Sequence, residues 1–296
     1  MRNIALPPAY IEQVNNVVQA GGTITQKFET IAERWETFAE LEATMQDELN
    51  KAILDPEATP AELAQLRALA LAAQNSNPVT EAAVRNEAGA AILAALRAEY
   101  RTVAAANYET IRAKFNDKAR ELTAALETAD AEASPEEMVQ ASAKIRAAWS
   151  EGPIRALELT DLMQALHTAA TLAGKAEPTG LHDQCLIGLT TDTTGLHRRR
   201  VWEAWTNTTG RAGHWRELWK LGATIEAPEL NNAKAYREPR PMEIRAERGG
   251  IGIYQLPHDP EDDAHRTEKD QLHKTAAKAG IHAIDYVDPD EVTHVH

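Results

Sequence analysis

Six of the ten histidines fall after Pro257, at His258, His265, His273, His282, His294 and His296, interleaved with Asp259, Glu261, Asp262 and Asp263. Imidazole and carboxylate together are the donor set of a zinc or manganese site. The spacing departs from the helical metal-binding pattern, in which two histidines four residues apart share a face. His265 and His273 are eight apart, and no HExxH occurs. His294 and His296 share a face only on a strand. Solvated surface histidines are therefore the expectation, with no metal and no cofactor assigned. The single cysteine, Cys185, has His182 and Asp183 beside it and His197 further on. A nucleophilic thiol needs a base brought to it in space and surroundings that lower its pKa. Neighbours within three residues do not supply that geometry, so an incidental thiol is expected. Gly249-Gly250-Ile251-Gly252 lacks the lysine and the following apolar helix of a phosphate loop. No catalytic constellation emerges from these residues.

The sharpest compositional feature is residues 196–222. Arg198, Arg199, Arg200, Arg211, Arg216 and Lys220 stand against Glu203 and Glu217, a local charge of +4 that leaves −18 for the rest of a chain whose net charge is −14. Four of the six tryptophans, Trp202, Trp205, Trp215 and Trp219, lie there too, in pairs spaced so that each pair shares a helical face. Arginine beside tryptophan packs internally, forms protein interface hot spots, or stacks on single-stranded bases. The ranking runs in that order. As an interface, the candidate residues are Arg198, Arg199, Arg200, Trp202, Trp205, Arg211, Trp215, Arg216 and Trp219.

These residues need a scaffold, and composition says what kind. The 296 residues leave ample length for a buried core. The acidic balance opposes phosphate, so nucleic acid is an unlikely partner for the whole molecule. One cysteine excludes an intrachain disulfide framework. No apolar run reaches signal-peptide or membrane-span length, which sets the expected location as cytoplasmic, or in a virion assembled there, with no membrane partner.

The scaffold reads as helical. Thr80 to Ala129 holds no proline and one glycine, Gly89, and is rich in alanine, glutamate, arginine and leucine, which predicts one very long helix over about 80–129. Its stripe runs through Ile92, Leu96, Tyr100, Val103, Asn107, Ile111 and Phe115, at a mean step of about 3.8 residues. That step suits packing against several shorter helices better than a two-stranded coiled coil. Upstream, Pro7 and Pro8 open an arm whose stripe is Tyr10 or Ile11, Val14, and Val17 or Val18, closed by Gly21-Gly22. Phe28, Ile31, Trp35, Phe38, Glu42 and Met45 form a heptad seam that predicts packing against the long helix. Thr59-Pro60-Ala61-Glu62 and Ser134-Pro135-Glu136-Glu137 have the form of capping boxes. The helix begun at Ser134 is expected to stop at Gly152-Pro153, and another to run from Ile154 to Ala173. Past Pro178 short helices are expected near Arg198–Trp205 and Gly213–Leu221. Met242–Ala246 and Ile251–Leu256 alternate as two strands about a turn at Arg248-Gly249-Gly250, followed by a polar helix over 260–279 and a third strand at Ile281–Val287.

The fold class is thus mainly α: an elongated multi-helix bundle with one very long helix, then an irregular Trp/Arg-rich segment and a small α+β unit. The divisions are an N-terminal arm (1–24), a helical bundle body (25–175), a connector (176–240) and the tail unit (241–296). The functional expectation is a non-enzymatic structural or assembly protein, of scaffold or virion type, whose partners are other copies of itself or other protein subunits. The rival is an enzyme or metal-binding protein with its site in residues 181–296. A weaker rival is a nucleic-acid-associated adaptor.

Overall fold

The computed structural model describes residues 6–40, 49, 51–53, 59–74, 78–174, 183–249, 252–267 and 269. The described chain is mostly helical, with two small antiparallel sheets in its last third. Its contacts divide it into two compact units, residues 1–19 with 23–104, and residues 20–22 with 105–296.

The first unit holds α1 (Pro7–Gln19), α2 (Gln26–Glu40), α3 (Pro60–Gln74) and α4 (Pro78–Tyr100). α1 and α2 both pack on α4. α1 buries Tyr10, Val14 and Val17, which decides between the alternatives that its spacing leaves open, and α2 buries Phe28 and Trp35 from the heptad seam. Tyr100 is where the two meet. Its ring lies edge-on to Tyr10 at 6.4 Å and to Phe28 at 6.1 Å, the geometry aromatic quadrupoles favour. Gly89 lies against Trp35, where a Cβ would stand in van der Waals contact with the indole at 3.4 Å. Thr25 starts α2 by accepting from the Phe28 N–H (3.1 Å), and its hydroxyl donates to Glu99 on α4 (2.8 Å). The Thr59–Glu62 capping box opens α3 as its sequence predicts, with the Glu62 N–H on the Thr59 hydroxyl at 3.3 Å. Glu42 and Met45 of the seam lie outside the described residues.

The single helix expected over 80–129 is two helices. α4 ends at Tyr100 and α5 (Ala104–Thr128) begins after a turn at 101–103. Thr102 and Val103 bond back by three residues, to the carbonyls of Glu99 and Tyr100, and the Thr102 hydroxyl also donates to the Glu99 carbonyl at 2.7 Å. A threonine hydroxyl that takes a backbone acceptor competes with the helix ladder, and here the turn prevails.

The second unit is built on α5 and α7 (Ala143–Leu172), with the short α6 (Pro135–Gln140) between them. α5 buries Tyr108, Ile111, Phe115, Ala119, Leu122 and Leu126; α7 buries Ala156, Leu159, Met163, Leu166 and Ala169. Along their polar margin Lys118 meets Glu158 at 3.1 Å and Arg155 meets Glu121 at 2.7 Å. Ser134 and Glu137 form the predicted reciprocal capping box. The stop expected at Gly152-Pro153 does not occur. The chain breaks earlier, at Ala141, Ser142 caps α7, and the helix runs on through Pro153. Proline at 153 removes one ladder bond, to the Trp149 carbonyl, and the buried Gly152 lies against Ala131.

After a 3₁₀ turn (Asp183–Leu186) come α8 (Ile187–Thr190), β1 (Thr191–Asp192), α9 (Arg198–Thr206), α10 (Gly213–Lys220) and β2 (Thr224–Ile225). β1 and β2 pair antiparallel, Thr191 opposite Ile225. Gly188 in α8 admits a close backbone crossing, since a Cβ there would stand 2.1 Å from the Lys234 carbonyl oxygen. The last described elements are the hairpin β3 (Glu243–Gly249) and β4 (Gly252–His258), then a helix over 260–267, α11. The ladder runs from Glu243 opposite His258 to Gly249 opposite Gly252. The third strand expected at Ile281–Val287 lies outside the described residues, as do His182, His273, His282, His294, His296 and the Gly250-Ile251 pair.

Candidate functional site

The chemistry-bearing residues converge where α9 and α11 begin. His197 is the N-cap of α9, its Nδ1 accepting from the Arg200 N–H at 3.5 Å. The first turn of α9 is Arg198-Arg199-Arg200, three cations at the end of a helix dipole that disfavours them. The compensation comes from α11, which opens Asp259-Pro260-Glu261-Asp262-Asp263. Asp259 caps it, with Oδ1 accepting from the Glu261 N–H at 3.0 Å, and proline follows at the first helical position.

Arg199 holds Asp259 in a two-pronged bond, Nε to Oδ2 at 2.5 Å and Nη2 to Oδ1 at 3.0 Å, while Nη2 also donates to the Arg240 carbonyl. Glu261, 2% exposed at its side chain, accepts from Arg198 (3.2 Å), from Arg240 Nε (3.2 Å) and from the Arg240 N–H (3.0 Å). Arg240 also donates to the Pro260 carbonyl at 2.8 Å. The Arg199 guanidinium holds the Asp259 carboxyl below the usual carboxylate range, against an opposing push from burial. Burial pushes Glu261 up, but the hydrogen bonds of Arg240 and the charge of Arg198 outweigh it and the net shift is downward. Asp263 is lowered too, by Arg245 (3.0 Å) and His258 (3.1 Å) on the hairpin.

His197 Nε2 lies 3.0 Å from Asp262 Oδ1 and 4.0 Å from Asp259 Oδ2. This is an imidazole and two carboxylates whose ligand atoms fall within 4.8 Å of one another, a donor set suited to zinc or manganese. Its present bonding is complete without a cation. Nδ1 accepts, so the ring proton sits on Nε2 and donates to Asp262, while both Asp259 oxygens are held by Arg199. Three arginines, Arg198, Arg199 and Arg240, balance Asp259, Glu261 and Asp262. We therefore describe the group as a clamp fixing the base of the β3–β4 hairpin to α9. No family model, no curated protein and no solved structure matches this chain.

The tryptophan and arginine residues of 196–222 divide by use. Trp215 (1% exposed) and Trp205 (5%) are core. Trp215 donates from Nε1 to Thr160 on α7 at 2.9 Å and meets Phe115 of α5 edge-on at 6.0 Å. His214 lies 4.2 Å from the Trp205 ring and 4.5 Å from that of Trp215, and burial pushes its pKa down to about 4. Arg211 stacks over Trp149 at 3.6 Å and donates to the Ala131 carbonyl. Arg216 grips Asp130 (2.7 Å) and Glu217 (2.8 Å). Trp202 stacks on Tyr236 at 6.4 Å. Trp219, half-buried, lines a cleft of about 440 Å³ with Asn116, Arg120 and Glu226. Arg200 is exposed, and Arg198 and Arg199 belong to the clamp. Cys185 is half-buried on the 3₁₀ turn, with its carbonyl accepting from the Tyr236 N–H.

What the clamp positions is a two-stranded ribbon. Opposed residues share a face, so Ile244 with Pro257 and Ala246 with Gln255 make one side, and Glu243 with His258 and Arg245 with Leu256 the other. Ile244 is 74% exposed, Met242 just before the strand 52%, and Leu256 46%. Sequence reasoning found the hairpin and the acidic run separately. The signal that joins them is a pair of mirror-image helix starts, Arg-Arg-Arg in one and Pro-Glu-Asp-Asp in the other.

Proposed function

We propose that this chain is a non-enzymatic helical assembly component, of scaffold or virion type, that acts through protein–protein contacts and associates with copies of itself. The observation that carries the reading is the β3–β4 ribbon, which exposes apolar side chains on both faces while its base is held by part-buried ion pairs. A two-stranded hairpin alone is marginal in water, and large apolar residues presented together on an anchored element mark a contact surface. The basic residues Arg199 and Arg216 meet carboxylates within the chain, and the net charge of −14 opposes attraction of nucleic acid.

Light scattering after size exclusion over a range of concentrations tests the reading. The expected result is a species larger than the monomer that dissociates on dilution, and its reduction to monomer by Ile244→Lys with the circular dichroism spectrum intact. A monomer at every concentration overturns it.

The rival, a metal-binding protein with its site in residues 181–296, is favoured by the His197, Asp259 and Asp262 group. Its test is thermal unfolding with zinc or manganese. A rise in midpoint that chelator and His197→Ala both abolish supports the rival, whereas the clamp predicts no rise.

A further inference from the structure

Resting on that assembly reading, we propose that the occupant of the ribbon's open edge is β3 of a second copy, paired antiparallel about a two-fold axis through Ile244. Among the described residues β3 pairs only with β4, so each strand has one open edge. The two edges are not equivalent. Proline has no N–H, and within sheets it sits with that position facing outward, so Pro257 blunts the outer edge of β4. β3 contains no proline between Glu243 and Gly249.

Pro257 also sets the phase of the ladder. It stands opposite Ile244 and cannot donate, which makes 244/257 a non-hydrogen-bonded pair. The N–H and C=O of Ile244, and those of Ala246, then point to the open edge. Two copies related by a two-fold axis at Ile244 exchange both bonds of that residue.

The charges select this register over its neighbours. With Ile244 opposite Ile244 of the other copy, Glu243 faces Arg245 and Met242 faces Ala246, giving two opposite-charge pairs around an apolar centre. Centring the axis on residue 243 sets glutamate against glutamate; centring it on 245 sets arginine against arginine. Centring it on 246 also sets Arg245 against Glu247, but it places Ile244 against Arg248. Of these registers only the one at 244 pairs opposite charges and also keeps Ile244 against an apolar residue, the self-complementarity that an isologous contact requires. Pairing takes the sheet from two strands to four, above the three that give a sheet independent stability. A strand ladder of this length covers well under ~1,000 Å², so the contact is weak and concentration-dependent, and covalent trapping is the suitable readout.

The experiment uses the full chain in a Cys185→Ser background. A hydrogen-bonded antiparallel pair has Cα atoms about 5.5 Å apart, within disulfide range. Ile244→Cys is expected to oxidise to a covalent dimer roughly tenfold faster than Ile154→Cys, an exposed control on α7, because pairing raises the effective thiol concentration. Met242→Cys alone is expected to stay monomeric, yet to cross-link when mixed with Ala246→Cys. If Ile244→Cys oxidises no faster than the control while light scattering still shows a dissociable oligomer, this pairing is overturned and the assembly reading stands. If Ile244→Cys instead cross-links within one chain to Ile284→Cys, the edge belongs to the chain's own tail and the inference fails. A monomer at all concentrations removes both.

Discussion

His214 is the residue whose ionisation should be most visible in solution. It is enclosed by Trp205 and Trp215, and its buried Nε2 has no hydrogen-bond partner among the described residues. Its folded pKa of about 4 lies below the ordinary histidine value. The unfolded chain therefore binds more protons between about pH 4 and 6.5, so this residue's contribution is complete above that window and lost as pH falls through it. The full difference is about 3 kcal/mol. Urea unfolding at pH 7, 5.5 and 4.5 should show His214→Phe losing less stability on acidification than the parent; equal losses would contradict the buried neutral imidazole. The clamp responds with the usual carboxylate sign. Asp259 and Glu261 are depressed in the folded state, so their support is present above the unfolded carboxylate range and disappears as pH falls below about 4. Asp259→Asn breaks the two-pronged bond of Arg199 and should cost about 2 kcal/mol locally. Hydrogen exchange should then report faster opening of the β3–β4 amides, with α5 and α7 unchanged. At this scale the sequence was readable where partners are three residues apart, as in the Thr59–Glu62 and Ser134–Glu137 boxes. It was opaque where Arg199 finds Asp259 or Trp215 finds Thr160, because such pairs are made by chain reversal and not by helical spacing.

At the scale of elements, proline and glycine proved weaker punctuation than their local rules suggest. Gly152-Pro153 sits inside α7, while Arg101-Thr102-Val103, with neither breaker, separates α4 from α5. The loss of one ladder bond at Pro153 is offset by the apolar face of a thirty-residue helix, whose Ala156, Leu159 and Met163 are buried just beyond it. Gly188 shows the opposite dependence, a small residue required by a distant segment. Gly188→Ala would drive a Cβ into the Lys234 carbonyl, and backbone cannot step aside as a flexible side chain can. The expected loss is about 2 kcal/mol by denaturant unfolding, as in overpacked cores. An unchanged midpoint would mean that the 230–236 segment is not held where the structure has it.

For the molecule as a whole, the division falls at Ala104, within the stretch that composition presents as one rod. Residues 196–222 belong to the core of the second unit through Trp205, Trp215 and Leu218. Removing 181–296 would therefore strip α5 and α7 of the rings that cover Phe115 and Thr160. We expect that truncation to lose cooperative unfolding, read by near-ultraviolet circular dichroism, and not to yield a free helical body. Retention of a sharp transition would show that α5 and α7 suffice. Among the described residues no helix is long and apolar enough to cross a membrane.

By itself the sequence determined the helical character, the two capping boxes, the Phe28 and Trp35 face of α2, and the hairpin. Each depends on interactions within a few residues, where propensity and periodicity act. Only the tertiary structure decided where the long stretch breaks, which tryptophans are core, and that Arg-Arg-Arg meets Asp-Pro-Glu-Asp-Asp. The break is made by bonds three residues apart that composition does not announce, and the other two outcomes rest on contacts between residues 55 to 100 positions apart, whose energies no local pattern carries.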